Sequence, residues 1–284
     1  MPSTHPSCIS ESESWCRHFS ARTAAEDYLP WEQPIALSGL EKRRITKSIQ
    51  QFQLGEGSSG RRLLQRALAY SKMAGDPAFV VALSLFVKEE QRHSSHLLRF
   101  MRREGIPASR SHWVDTVFRR VRVLSGLELS LRVLVSAEII AVPYYRALCA
   151  ATASPLLRAI CTEILQDEAA HLCFQASMLS RTGARWSVCA DRAVSWAHLL
   201  FLLTTCYVVW FEHHEVFQAA GYSRQRFLAE AFWEFNRLHD AVFRRRLRVS
   251  ITSVQPDPAI DPPLTSAAGP ELRASSGQVR STSI

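Results

Sequence analysis

Two copies of a four-residue pattern, Glu90-x-x-His93 and Glu168-x-x-His171, stand 78 residues apart, and a further glutamate precedes each in a segment of helical character: Glu56 lies 34 residues before Glu90, and Glu138 lies 30 before Glu168. Residues three apart share one face of an α-helix, about 5–6 Å between Cβ atoms, so a single helix can offer an oxygen and a nitrogen to one ion. A glutamate from each of two helices plus Glu-x-x-His from each of two others is the ligand set of a dinuclear site inside a four-helix bundle. Carboxylates with imidazole and no thiolate suit iron or manganese.

The register of the surrounding apolar residues sharpens this reading. The seam Phe79, Leu83, Phe86, Glu90, His93, Leu97, Met101 steps by fours and threes, as a buried helix face does, and the second copy repeats it with Leu157, Cys161, Ile164, Glu168, His171, Gln175, Met178. Glu138 sits likewise within Leu127, Leu131, Leu134, Ala141, Tyr145 and Leu148, and Glu56 is read as heading a shorter seam of Gly60, Leu63, Ala67 and Tyr70. Four carboxylates buried in one apolar core would be costly unless positive charge neutralises them, and two divalent cations would do so. With a turn near Ala153-Ser154, Glu138 and Glu168 arrive at the same height on one hairpin. Glu56 matches the height of Glu90 if its helix stops near Ser71 with 72–76 as loop, and no other acid lies between Glu56 and Asp76.

At 284 residues and 47% apolar content, the chain can bury one large helical domain. Helices are expected at about 41–53, 57–73, 77–104, 126–153, 155–182, 187–219 and 223–249, with Asp76-Pro77 and Ser154-Pro155 as N-cap and first-turn pairs and Gly105, Gly183 and Gly221 as stops. No strand pattern of comparable length appears, so the class is all-α. Residues 1–38, Ser-rich and acidic, and residues 252–284, rich in Pro and Ser, are expected to be disordered tails around a domain at 39–251, with a metal-site core at 56–182 and extra helices at 187–249. Pro143 should bend the helix that carries Glu138.

The polar start offers no apolar secretion signal, and the seven cysteines form no C-x-x-C pair, which together suggest a cytoplasmic protein with reduced thiols. Both tails are net acidic, so the formal charge of +8 is concentrated in the middle, mostly as arginine. Scattered arginines on solvated helix faces account for it, and nucleic acid is not an expected partner. The apolar run from Val194 to Phe211 approaches bilayer-spanning length and leaves two options open, packing on the bundle or contact with a membrane.

Over residues 56–182 the doubled motif resembles the ferritin-like di-iron carboxylate superfamily, whose fold is a four-helix bundle. The resemblance implies that Glu90 and Glu168 bridge two irons, that His93 and His171 each bind one, and that Glu56 and Glu138 are the outer carboxylates. It further implies that Asp167 hydrogen-bonds His93 and Glu89 hydrogen-bonds His171, orienting the metal-bound imidazoles. Some N-oxygenases of this superfamily carry an extra histidine four residues before the second motif glutamate. Here that residue is Ile164, so a seventh ligand would have to come from elsewhere, such as His198.

The chain lacks the four-cysteine module of rubrerythrins, has Leu97 where the small ribonucleotide reductase subunit carries its radical tyrosine, and is longer than storage ferritins. The resemblance therefore favours an oxygenase or oxidase using two iron ions, or manganese with iron, to turn O2 on a small organic substrate, with an electron-donor protein or reductase as partner and a homodimer as a further option. Gly60 and Ala67, which thin the first helix, and Tyr145, two turns from Glu138, are the candidate pocket residues. The alternatives are an iron-handling ferroxidase without organic substrate and a non-catalytic bundle with a basic binding surface.

Overall fold

A computed structural model describes residues 10–24, 28–34, 37–109, 126–183 and 188–253, and the regular structure among them is entirely helical. The helices are α1 (Glu11–Ala24), α2 (Gly39–Glu56), α3 (Arg61–Ala74), α4 (Pro77–Arg103), α5 (Leu127–Ala151), α6 (Pro155–Thr182), α7 (Val188–Glu212), α8 (His214–Ala219) and α9 (Arg224–Ser253). The tail expected over 252–284 lies outside the described residues, except for its first two, which end α9.

Local chemistry sets the starts of the long helices. Ser38, Asp76 and Ser154 accept hydrogen bonds from the amides of Glu41, Phe79 and Leu157, and prolines fill the first turns of α4 and α6. At the other end of α3, Gly75 takes a left-handed conformation at φ 67°, which closes the helix before Asp76 begins the next. α4 packs against α1, α2, α3 and α6, while α5 and α6 form the most closely packed antiparallel hairpin, covered by α9. Their shared interior is one apolar core that includes Leu83, Phe86, Leu97, Leu131, Ile139, Leu157, Ile160 and Ile164.

Three elements differ from the sequence expectation. Glu56 does not head the helix of Leu63 and Ala67; it is the last residue of α2, and the break falls at 57–60. Gly60 there has φ 60°, and a Cβ on it would lie 2.9 Å from a Val87 methyl, so the turn needs both the left-handed conformation and the missing side chain to sit against α4. The buried face Ile45, Ile49, Gln53, Glu56 leads into this position from the N-terminal side.

The second difference is α1, which occupies sequence expected to be disordered. Ser10 and Glu13 form a reciprocal capping box, the Glu13 amide donating to Ser10 Oγ and the Ser10 amide to Glu13 Oε2. Phe19 is fully buried against Phe86 and Phe174, with ring centroids 6.2 and 5.1 Å away. Cap and aromatic anchor together outweigh the polar composition.

Third, the helix expected over 187–219 is split at His213 into α7 and α8. Among the described residues, two helices are long and apolar enough to cross a membrane, Leu127–Ala151 and Cys189–Glu212, with 72% and 28% of their most apolar windows buried. The first is the core helix α5. The second, α7, buries Leu202, Cys206 and Val209 and exposes Trp196, Leu200, Leu203, Tyr207 and Phe211.

Because Phe19 joins α1 to the core, Phe19→Ala should destabilise the protein by about 3–5 kcal/mol. Urea unfolding monitored by circular dichroism checks this, and a loss below about 1 kcal/mol would show that α1 is not anchored as described.

Candidate metal centre

Four helices bring the six ligand-type residues together. Glu56 comes from the end of α2, Glu90 and His93 from α4, Glu138 from α5, and Glu168 and His171 from α6. One oxygen or nitrogen of each of Glu90, Glu138, Glu168 and His171 falls within a 4.8 Å set, and Glu56, Glu90 and His93 supply a second such set. Glu90 belongs to both, while Glu168 joins only the first. His171 Nδ1 lies 3.0 Å from Glu90 Oε1, 3.6 Å from Glu168 Oε2 and 4.0 Å from Glu138 Oε2. His93 and His171 are fully buried, as is Glu168, while Glu90 retains 13% of its side-chain exposure.

The two histidines are oriented by a reciprocal brace. Asp167 of α6 is 3.0 Å from His93 Nε2 of α4, and Glu89 of α4 is 2.8 Å from His171 Nε2 of α6. Each acid immediately precedes the motif glutamate of its own helix, so the same quarter-turn offset carries each one across to the opposite imidazole. Both rings thereby spend Nε2 on a carboxylate and present Nδ1 to the cluster. Neither Nδ1 atom has a hydrogen-bond partner, nor do Glu90 Oε1 and both carboxylate oxygens of Glu168. Buried polar atoms are rarely left so, and five of them converging from two helices is the donor set a pair of cations would satisfy.

Several supporting residues carried no clear signal in the sequence. Arg22 of α1 donates to Asp167 through Nε at 2.6 Å, and Arg92 Nη2 does so at 2.9 Å. The N-terminal helix therefore reaches the acid that orients His93. Tyr145 OH donates to Glu56 Oε1 at 2.7 Å, and the Gln175 amide donates to Glu138 Oε1 at 3.0 Å, so each outer carboxylate has a neutral donor. Phe86 packs edge-on to His171 with centroids 4.7 Å apart, and Phe19 closes the same side.

A cavity of about 170 Å³ adjoins the cluster and includes Glu56, Glu90 and Glu138 in its wall. Gly60 lines it, as the sequence reading expected, but Ala67 and Tyr145 do not. Ala67 is buried core, and Tyr145 is instead the hydrogen-bond donor to Glu56. His198 stands apart from the cluster, with Nε2 3.0 Å from Ser136 Oγ and Nδ1 3.4 Å from His239, so it is no seventh ligand here.

The electrostatics reflect four carboxylates in one dry volume. Burial, reinforced by Glu90, raises Glu56 well above the ordinary 4.5, and burial with Glu90 and Glu168 raises Glu138 likewise. Burial would raise Glu90 too, but the neighbouring His171 imidazole draws it down to about 2. Burial would lower His171, yet Glu90, Glu168 and Glu89 hold it well above 6.5. Asp167, despite burial, is held far below its usual range by His93 and Arg22.

The sign of the pH dependence follows. Glu56, Glu138 and His171 have folded values above their unfolded ones, so each contributes stability that is complete below its unfolded value and is lost as pH rises through the folded value. Between about pH 4.5 and about 6.5 the lowered His198 and His239 act in the opposite sense to Glu56 and Glu138, so the metal-free protein should lose stability with rising pH chiefly above about 6.5, where His171 adds to the loss. Divalent cations replace those protons and should reverse the slope. Thermal melts between about pH 6 and about pH 9, with and without ferrous ion, test this. A metal-free Tm that holds or rises over this range, with no change of slope in Glu138→Gln, would contradict it.

Comparison with protein-family models, with curated proteins and with solved structures finds no match to this chain.

Proposed function

We propose that the protein is a ferritin-like di-iron oxidoreductase that turns O2 on a small organic substrate. The observation that carries this reading is the set of unpartnered buried donors: two imidazole Nδ1 atoms and three carboxylate oxygens facing one another across α4 and α6, with Glu56 and Glu138 alongside. Two ferrous ions bound there would supply the electrons and open coordination positions needed to activate O2.

The chain's own residues have separable tasks. Glu90, common to both ligand sets, would be a ligand to both ions. Asp167 and Glu89 fix the imidazole rings with Nδ1 forward, and the charge of Asp167 is in turn held by Arg22 and Arg92. Tyr145 and Gln175 donate to the outer carboxylates and limit how those groups can swing. Burial and the adjacent Glu56 push the Tyr145 phenol well above its ordinary value, so it remains a donor. Phe19, Phe86 and Phe174 exclude water on the α1 side.

The cavity favours an organic substrate over iron storage. A ferroxidase needs a polar path for ions, whereas this space is walled largely by Phe52, Leu63, Phe86, Val87, Leu134 and Val209. A purely macromolecule-binding bundle would need no buried carboxylate cluster and would be expected to fill those positions with leucine.

The test is a single turnover of the anaerobically reduced, iron-loaded protein with O2, followed by optical absorption. Rapid oxidation of two irons per chain that remain bound and discrete supports the proposal, whereas accumulation of ferric mineral indicates a ferroxidase. Glu90→Ala and Glu168→Ala should each lose iron while keeping most helicity. Retention of two irons in both variants would contradict the ligand assignment.

A further inference from the structure

The cavity beside the cluster has a chemical character of its own. Its volume, about 170 Å³, is close to that of an engineered cavity of about 150 Å³ that stays dry and takes benzene. Its wall comes from α2, α3, α4, α5 and α7, with the turn at Ser58 and Gly60 completing one side. Among the described residues, no lysine or arginine lines this space. The ionisable groups in its wall are the three cluster glutamates and His213, whose Nδ1 is engaged with Ser48 Oγ at 2.8 Å. The remaining polar wall is uncharged: Gln51, Ser58 and Thr205, the last donating its hydroxyl to Phe201 O and so left to accept.

We propose that this cavity is the binding site for a neutral, predominantly hydrocarbon molecule the size of one aromatic ring, bearing at most an uncharged polar substituent. Calling that molecule a substrate rests on the O2-activating reading; the binding itself does not. In the metal-free protein a carboxylate or phosphate on the ligand would be desolvated next to these glutamates, with no lysine or arginine among the described lining residues to pair with, which disfavours anions of the same shape.

The test uses the full chain, both as metal-free protein and loaded with ferrous ion under anaerobic conditions, with 4-fluorotoluene and 4-fluorobenzoate as probes observed by fluorine NMR. The neutral probe should bind saturably in both forms, and in the metal-free protein the benzoate should bind at least about a hundredfold more weakly. Ala141→Phe, which fills the cavity from α5, should abolish binding of the neutral probe without changing metal content. Val209→Phe does the same from α7 and serves if the first variant fails to fold. Equal binding of the two probes to the metal-free protein, or unchanged binding of fluorotoluene in a folded filled variant, overturns the proposal. Metal retention without probe binding removes the cavity assignment alone, and probe binding without metal uptake removes the di-iron reading alone.

Discussion

The interior of this protein is organised around a repulsion. Glu56, Glu90, Glu138 and Glu168 share one apolar volume, and Glu90 Oε1 and both Glu168 carboxylate oxygens are left without a hydrogen-bond partner. Ordinary folding would place leucine or isoleucine at such positions, as the flanking turns of each helix do. Retaining four acids there is costly unless cations complete the site, and the helix packing is arranged to hold those acids at one height rather than to hide them from one another. The close α5/α6 hairpin and the packing of α2, α3 and α6 around α4 are the consequences of that requirement.

The brace between the motif helices ties the cluster to the rest of the molecule. Asp167 and Glu89 hold His93 and His171 across the α4/α6 contact, and Asp167 also accepts from Arg22 and Arg92. Through Arg22 and Phe19, α1 bears on both the charge and the dryness of the site, although it lies far from it in sequence. On the opposite side the apolar cavity leaves Glu90 partly open, so the same group that joins the two ligand sets is the one a small molecule can approach. A sealed flank and an accessible flank are what the proposed O2 chemistry would use.

Much of this was legible in the residues. The repeated Glu-x-x-His and the apolar seams around it specified helical faces, and Glu138 and Glu168 could be paired by counting from the turn at 152–154. Glu56 was identifiable as the remaining acid, but its helix was not. Gly57 to Gly60 read as a helix start, whereas Ile45, Ile49 and Gln53, stepping toward Glu56 from the other side, carried the better signal. α1 was hidden by its serine and acid content, although Ser10-x-x-Glu13 and the spacing of Trp15 and Phe19 encode a capped, one-sided helix. The roles of Tyr145 and Gln175 were not readable, because they depend on which rotamers meet across helix interfaces, and spacing along one helix says nothing about that.

The central claim is that the buried glutamates and histidines form a completed site only with two cations. Anaerobic titration of the full-length protein with ferrous ion, followed by calorimetry and by proton release into a weakly buffered solution, measures it most directly. The account predicts saturation at two ions per chain, with protons released as Glu56, Glu138 and His171 give theirs up. Saturation at two ions with no proton release, or no uptake by a folded protein, would contradict it.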